Sequence, residues 1–153
     1  MEGIDFKVLN SRELLEMFDS LVPSLQESIV KRGLTDAGRI ILSQAKVNFS
    51  GVKKNKSKTN YDEINRGFRI SPLRNGIMGV RIGNSYYKSL FIEKGTKDRL
   101  YKNKNGKTHF TGSIKATRFF EDAVNSKKDE AQSKVSESII NQLDKVVKKY
   151  GLK

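Results

Sequence analysis

Residues 86–96 read YYKSLFIEKGT, and the fold turns on how this stretch is read. Tyr86, Tyr87, Leu90, Phe91 and Ile92 crowd large apolar side chains into a chain that is otherwise polar and rich in lysine. Tyr86, Leu90 and Glu93 fall at helical steps, whereas the bulk and branching of Phe91 and Ile92 suit a strand. Period alone does not resolve so short a run. The reading adopted is a short helix or turn leading into the break at Gly95. It makes the stretch a hinge between a buried sheet before it and an exposed basic arm after it.

Upstream, residues 67–73 (GFRISPL) and 77–82 (IMGVRI) read as two strands around Arg74-Asn75-Gly76, because Asn-Gly between apolar runs is a hairpin turn. Pro72 puts its strand at a sheet edge or marks its end. Gly83-Asn84-Ser85 reads as a second turn. Residues 50–66 read as a loop crowded by Lys53, Lys54, Lys56 and Lys58, since blocks of like charge repel and stay extended. Before it, a helix is expected over 25–49, with Leu25, Ile29, Leu34, Ala37, Ile40, Ile41, Ala45 and Val47 in one broad stripe. Ser24 and Glu27 have the spacing of a capping box for it. Gly33 and Gly38 interrupt the stripe. They read either as weakened propensity, about 1 kcal/mol each, or as close packing against a neighbouring backbone. Earlier still, alternation over 4–9 predicts a strand. Asn10 and Glu13 then cap a short helix over 11–21, and Pro23 stops it.

Downstream, residues 94–107 form a second basic loop with six basic residues and one acidic. Residues 46–69 carry seven basic and two acidic, so two segments hold most of the net charge of +13. Residues 108–112 (THFTG) read as a last short strand. From about Arg118 a helix runs to Tyr150 with apolar residues at mostly four-residue steps and Gly151 as its C-cap. The stretch 125–130 reads as a kink or solvated turn. Some thirty residues of helix span roughly 50 Å, more than a small domain, so part of it is expected to overhang its own core.

The bulk numbers bound the rest. A chain of 153 residues predicts one domain, burying roughly 70% of its unfolded surface. Hydrophobic residues make up 36% and charged residues 31%, which predicts an ordinary core with polar outworks. The strong positive balance points to nucleic acid, an acidic protein surface or anionic lipid. There is no cysteine, which excludes disulfides and thiolate chemistry. No apolar run approaches the ~18 residues of a membrane helix, and MEGIDFKVLN lacks the pattern of a signal peptide. A soluble, cytoplasmically made protein with no membrane partner is expected.

No catalytic constellation stands out. The only histidine, His109, lies beside Phe110 in the expected strand, with no second histidine or cysteine to complete a zinc set. GVKKNKSK lacks the glycine and Gly-Lys-Ser/Thr ends of a phosphate loop. Asp62-Glu63, Glu121-Asp122 and Asp129-Glu130 read as solvated charge beside lysines. Glu93 stands apart because it lies in an apolar run, as a rim charge on a helix or as an ion-pair partner for a neighbouring subunit. No catalytic residue, cofactor or metal is expected. The basic loops fit two uses. Their lysines can neutralise phosphates, with Tyr61 and Tyr101 stacking on bases, or they can fold on an acidic protein.

Four features, in order, resemble the small tail-completion proteins of long-tailed phages, the minor tail or head–tail connector components. These are an N-terminal strand and short helix (IDFKVLNSRELLEMFDSL), a longer helix ending in Ala45-Lys46 (GLTDAGRIILSQAKVNF), the apolar run closing on Glu93, Lys94, Gly95 and Thr96, and a basic loop leading to Ala116, Phe119, Phe120 and Ala123. Two departures accompany them. Tyr87-Lys88 stands one residue further from the glutamate than the family's Tyr-Ala, and Arg118-Phe119 replaces its usual Pro-Phe.

The resemblance implies an α+β fold, a small antiparallel sheet packed against two long helices with extended basic loops. It implies a non-enzymatic virion subunit at the neck, assembled in the host cytoplasm into a hexameric ring of copies of itself. That ring would sit between a head connector or adaptor protein and a tail tube or tail terminator protein, with a passing contact to double-stranded DNA as an option; protein contacts are favoured for the lysine-bearing loops, since a basic lumen would slow the passage of DNA. Its expected contact residues are Tyr87, Phe91, Glu93, Gly95, Thr96, Arg99, Tyr101, Phe119 and Phe120. Lys53, Lys54, Lys56, Lys58, Lys97, Lys102, Lys104 and Lys107 form the basic loops. The alternative is a basic nucleic-acid-binding module, and a nuclease or toxin stands third.

Overall fold

The computed structural model describes residues 11–52, 58–73 and 79–150. Their order is α1 (Ser11–Asp19), α2 (Pro23–Ser50), α3 (Lys58–Gly67), β1 (Phe68–Pro72), β2 (Val80–Asn84), α4 (Ser89–Lys94), β3 (Arg99–Lys102), β4 (Thr108–Gly112) and α5 (Phe119–Tyr150). The fold is α+β. In place of the single small sheet expected, β1 pairs with β2 and β3 with β4 in two separate two-stranded sheets.

Several sequence expectations need correction. Pro23 opens α2 rather than stopping α1. Proline lacks an N–H and its fixed φ suits the first helical position. The Ser24–Glu27 capping box is therefore unused, and the carbonyl of Val22 accepts from the amides of Leu25 and Gln26 at 2.9 and 3.1 Å. The loop expected over 50–66 is helical from Lys58. β2 runs on through Gly83 and Asn84, where a turn was expected. The loop expected over 94–107 contains β3. α5 is helical without interruption through 125–130. The expected strand over 4–9, the Asn10 cap, the Asn75-Gly76 turn and the Gly151 cap lie outside the described residues.

The chain forms two compact units, and both long helices contribute to each. In the first, residues 1–40, 70–81 and 128–153, the core is Leu21, Ile29 and Leu143, with Phe18, Leu25, Ile139 and Val146 packed around it. Here α2 and α5 run antiparallel. A Cβ on Gly33 would stand 3.2 Å from Ile139 Cγ1 and 3.3 Å from the Val135 carbonyl, so this glycine serves close packing. Ser138 is buried and donates its hydroxyl to Asp36 at 2.8 Å. Burial on α5 continues through Ala131, Ser138, Leu143 and Val147. The expected overhang is thus absent, because α2 supplies the missing wall.

The second unit, residues 41–69 and 82–127, is built on aromatic packing. Phe49 stacks on Tyr61 at 4.8 Å and meets Phe68 and Phe119 edge-on at 5.8 and 5.1 Å. Ala45, Ile64 and Ala123 close the cluster. Large rings dominate such a core, and edge-on pairs add about 0.5–1.5 kcal/mol beyond their burial. The α2 stripe ends on Phe49, not Val47, which is exposed. Asn84 ties β2 to α3. Its amide donates to the Ile64 carbonyl at 2.6 Å, and its oxygen accepts from the Tyr86 amide at 2.8 Å.

Candidate functional site

The second unit also carries every described residue expected to make contacts. The Glu-x-Gly-Thr motif turns out to be a clasp. Glu93 accepts from the backbone amides of Phe120 and Glu121, both at 2.9 Å, and so caps the N-terminus of α5. Arg118, at φ 50, keeps the preceding chain out of the helix, and its amide donates to the Glu93 carbonyl at 3.1 Å. The amide and hydroxyl of Thr117 both donate to the Ile92 carbonyl, at 3.0 and 2.9 Å. Thr96 and Ile114 bond twice, amide to carbonyl and amide to hydroxyl, each at 2.9 Å. Gly95 lies at φ 73 and ψ −178, a region essentially reserved for glycine.

These contacts give Glu93 a role that neither sequence reading named, a cap for α5. Its charge faces the amide end of α5, where orphan N–H groups and the helix dipole favour an anion. Glu93, Gly95 and Thr96 hold the chain together locally. Phe119 is only 4% exposed and belongs to the aromatic core, so it presents no outer surface. Tyr61 likewise stacks on a core ring and is no free platform.

What the clasp leaves outside is apolar. Tyr87 (67% exposed), Leu90 and Phe91 stand out from α4 and the turn before it, with the Tyr87 and Phe91 rings edge-on at 6.2 Å. Beside them opens a cleft of about 800 Å³ whose lining includes Ile82, Tyr87, Leu90, Ala116 and Phe120. Close by, Glu63 hydrogen-bonds the Tyr86 hydroxyl and is the main cause holding that phenol above its usual range, against an opposing pull from Lys88. Lys88 is itself held above its usual range, first by its bond to Tyr86, and lies 5.5 Å from that ring's centre.

The second feature is the β3–β4 ribbon. Leu100 pairs with Phe110, Tyr101 with His109 and Lys102 with Thr108, with an irregularity between Arg99 and Leu100. Directly paired residues share a face. One face therefore shows Leu100 and Phe110, 69% and 65% exposed, and the other shows Tyr101 stacked on His109 at 5.6 Å. The Asn103 side chain shapes the turn by accepting from the amides of Asn105 and Lys107, at 3.1 and 2.9 Å. Lys97, Arg99, Lys102, Lys104 and Lys107 are all exposed. Among the described residues none of these five makes an ion pair.

Of the other basic residues, Lys58 opens α3, while Lys53, Lys54 and Lys56 lie outside the described residues. Sequence reasoning missed Leu90, Leu100 and Phe110 as exposed surface. Strand alternation over 99–102 and 108–112, once paired, was the signal that would have found the last two. No group of three metal-ligating side chains gathers among the described residues, and no described helix is long and apolar enough to cross a membrane.

The chain matches no family model, no curated protein and no solved structure.

Proposed function

We propose that this chain is a non-enzymatic structural subunit that joins copies of itself into a ring at the junction of a virion's head and tail, completing the tail and linking it to the head connector. One observation carries the reading: the bare apolar surface of Tyr87, Leu90 and Phe91 on α4, immediately before the Glu93–Thr96 clasp. Three large apolar side chains grouped on one surface mark a contact site rather than scattered exposure. The clasp fixes α4 against the start of α5, so the surface is rigid before a partner arrives, which lowers the ordering cost of association. If the patch of one copy meets a different surface on the next, the contact is head-to-tail and forms a ring where the rotation between copies closes. The order of motifs along the chain supports the virion neck as the setting.

Sedimentation of the purified chain and electron microscopy of the assembled particle test this. The expected result is a ring of copies at the neck, and a Phe91→Glu variant that keeps its helical circular dichroism but fails to assemble. A Phe91→Glu chain that assembles normally, or particles whose tails join heads without this protein, would overturn the proposal.

A further inference from the structure

The β3–β4 ribbon has a chemistry that ring assembly does not use. We infer that it is a nucleic-acid-binding arm, which takes the phosphate backbone on its cations and an unpaired base on the Tyr101 ring. Five exposed cations, Lys97, Arg99, Lys102, Lys104 and Lys107, lie on β3, the turn and the approach, with Asp98 the only acid among residues 94–112. None has a carboxylate partner among the described residues. Left uncompensated, that charge repels itself, and its placement calls for an anion from outside the ribbon.

A nucleic acid fits better than an acidic protein for two reasons. Exposed cations meeting carboxylates one at a time gain little each. A phosphate backbone presents charge at a regular spacing, so the same cations act together by releasing condensed counterions. The second reason is Tyr101. Its ring stacks on His109 on one side and is 55% exposed, and an exposed ring among cations is what a single-stranded base stacks on. Asn103 braces this face, its amide lying 3.2 Å from His109 Nε2. That contact holds the imidazole in place, so Tyr101 rests on a fixed ring.

The ribbon reads no base sequence, because it offers charge and a ring face but no fixed pattern of donors and acceptors aimed at base edges. It is a two-stranded element of a width that a major groove admits, and a Cβ added at its turn Gly106 would meet nothing within 4 Å.

The test uses the full chain and three labelled probes of equal charge: a mixed-sequence DNA duplex, a single strand of the same length, and polyglutamate. Binding is followed by fluorescence anisotropy as salt is raised. With all five cations engaged on the duplex, the log–log slope is about −4.5, so affinity falls roughly 500-fold between about 50 and 200 mM salt. Replacing Lys102, Lys104 and Lys107 by glutamine brings the slope to about −1.8. Replacing Lys46, Lys128 and Lys145, exposed elsewhere, changes net charge equally and leaves the slope as it was. Tyr101→Ala weakens the single strand by about tenfold and leaves the duplex unchanged.

Equal slopes for the two triple variants, or no binding to either DNA at low salt, would overturn the inference. Polyglutamate bound as tightly as DNA would overturn it in favour of an acidic protein partner. The ribbon variants leave α4 untouched, so loss of DNA binding with assembly intact separates this inference from the proposed ring.

Discussion

Glu93 and Phe120 are 27 residues apart in sequence, yet the carboxylate of one takes the second amide of the other's helix at 2.9 Å. A second oxygen takes the next amide, of Glu121. A helix start usually finds such an acceptor in the residue just before it. Here that position is Arg118, which has no side-chain oxygen to offer, and the acceptor arrives from a separate element.

Removing that acceptor therefore acts on stability from a distance. Glu93→Ala is expected to cost about 1–2 kcal/mol, the range of a lost helix cap, and Glu93→Gln less because one oxygen remains. Urea unfolding measures both. A Glu93→Ala chain as stable as its parent would show that the clasp contributes nothing to folding.

Gly95 is the second test of the clasp. A Cβ there would stand 2.7 Å from the Ile114 carbonyl oxygen and 2.8 Å from the Ala116 amide, both backbone atoms that have no rotamer to give. Gly95→Ala is expected to cost about 2 kcal/mol or more, from strain at positive φ together with overpacking. Gly106 shares the same φ of 73 but has open space around it, so Gly106→Ala is expected to cost about 1 kcal/mol. The difference between the two, read in one urea series, isolates the clash.

The same contrast shows what the sequence made legible. The long helices were visible because their apolar positions recur locally, and the Gly95 break because glycine after a helix is a local signal. Glu93 was not readable as a cap, since nothing near it in sequence names Phe120 as its partner. The antiparallel match of α2 with α5, which removes the expected overhang, was hidden for the same reason: Gly33 against Val135 and Ile139 is a pairing of distant residues. Lysine content concealed α3 and β3. Charge suggested loops, but Ile64 packs into the core from α3, and β3 gains its order from pairing with β4. In the site, the apolar run announced the α4 surface, while Phe119 looked equally available and proved to be core.

Stability in alkali depends on Tyr86 and Lys88. Tyr86 is held above its usual 10.0, chiefly by its bond to Glu63, so the folded chain favours the neutral phenol. Lys88 is held above 10.5, chiefly by its bond to Tyr86, so the folded chain also favours the ammonium. Both groups bind their protons more tightly folded than unfolded. The stability they contribute is fully present below pH 10.0 and is lost as pH rises through the raised values. Unfolding midpoints followed upward from neutral pH should fall in that window. Glu63→Gln removes the largest cause, so the Tyr86 phenolate should appear at lower pH, with the ultraviolet difference between parent and Tyr86→Phe identifying its titration. Tyr86→Phe should in turn let Lys88 lose its proton at lower pH. Identical phenolate curves for parent and Glu63→Gln would mean that the carboxylate does not hold that hydroxyl in solution, and the alkaline loss would then need another source.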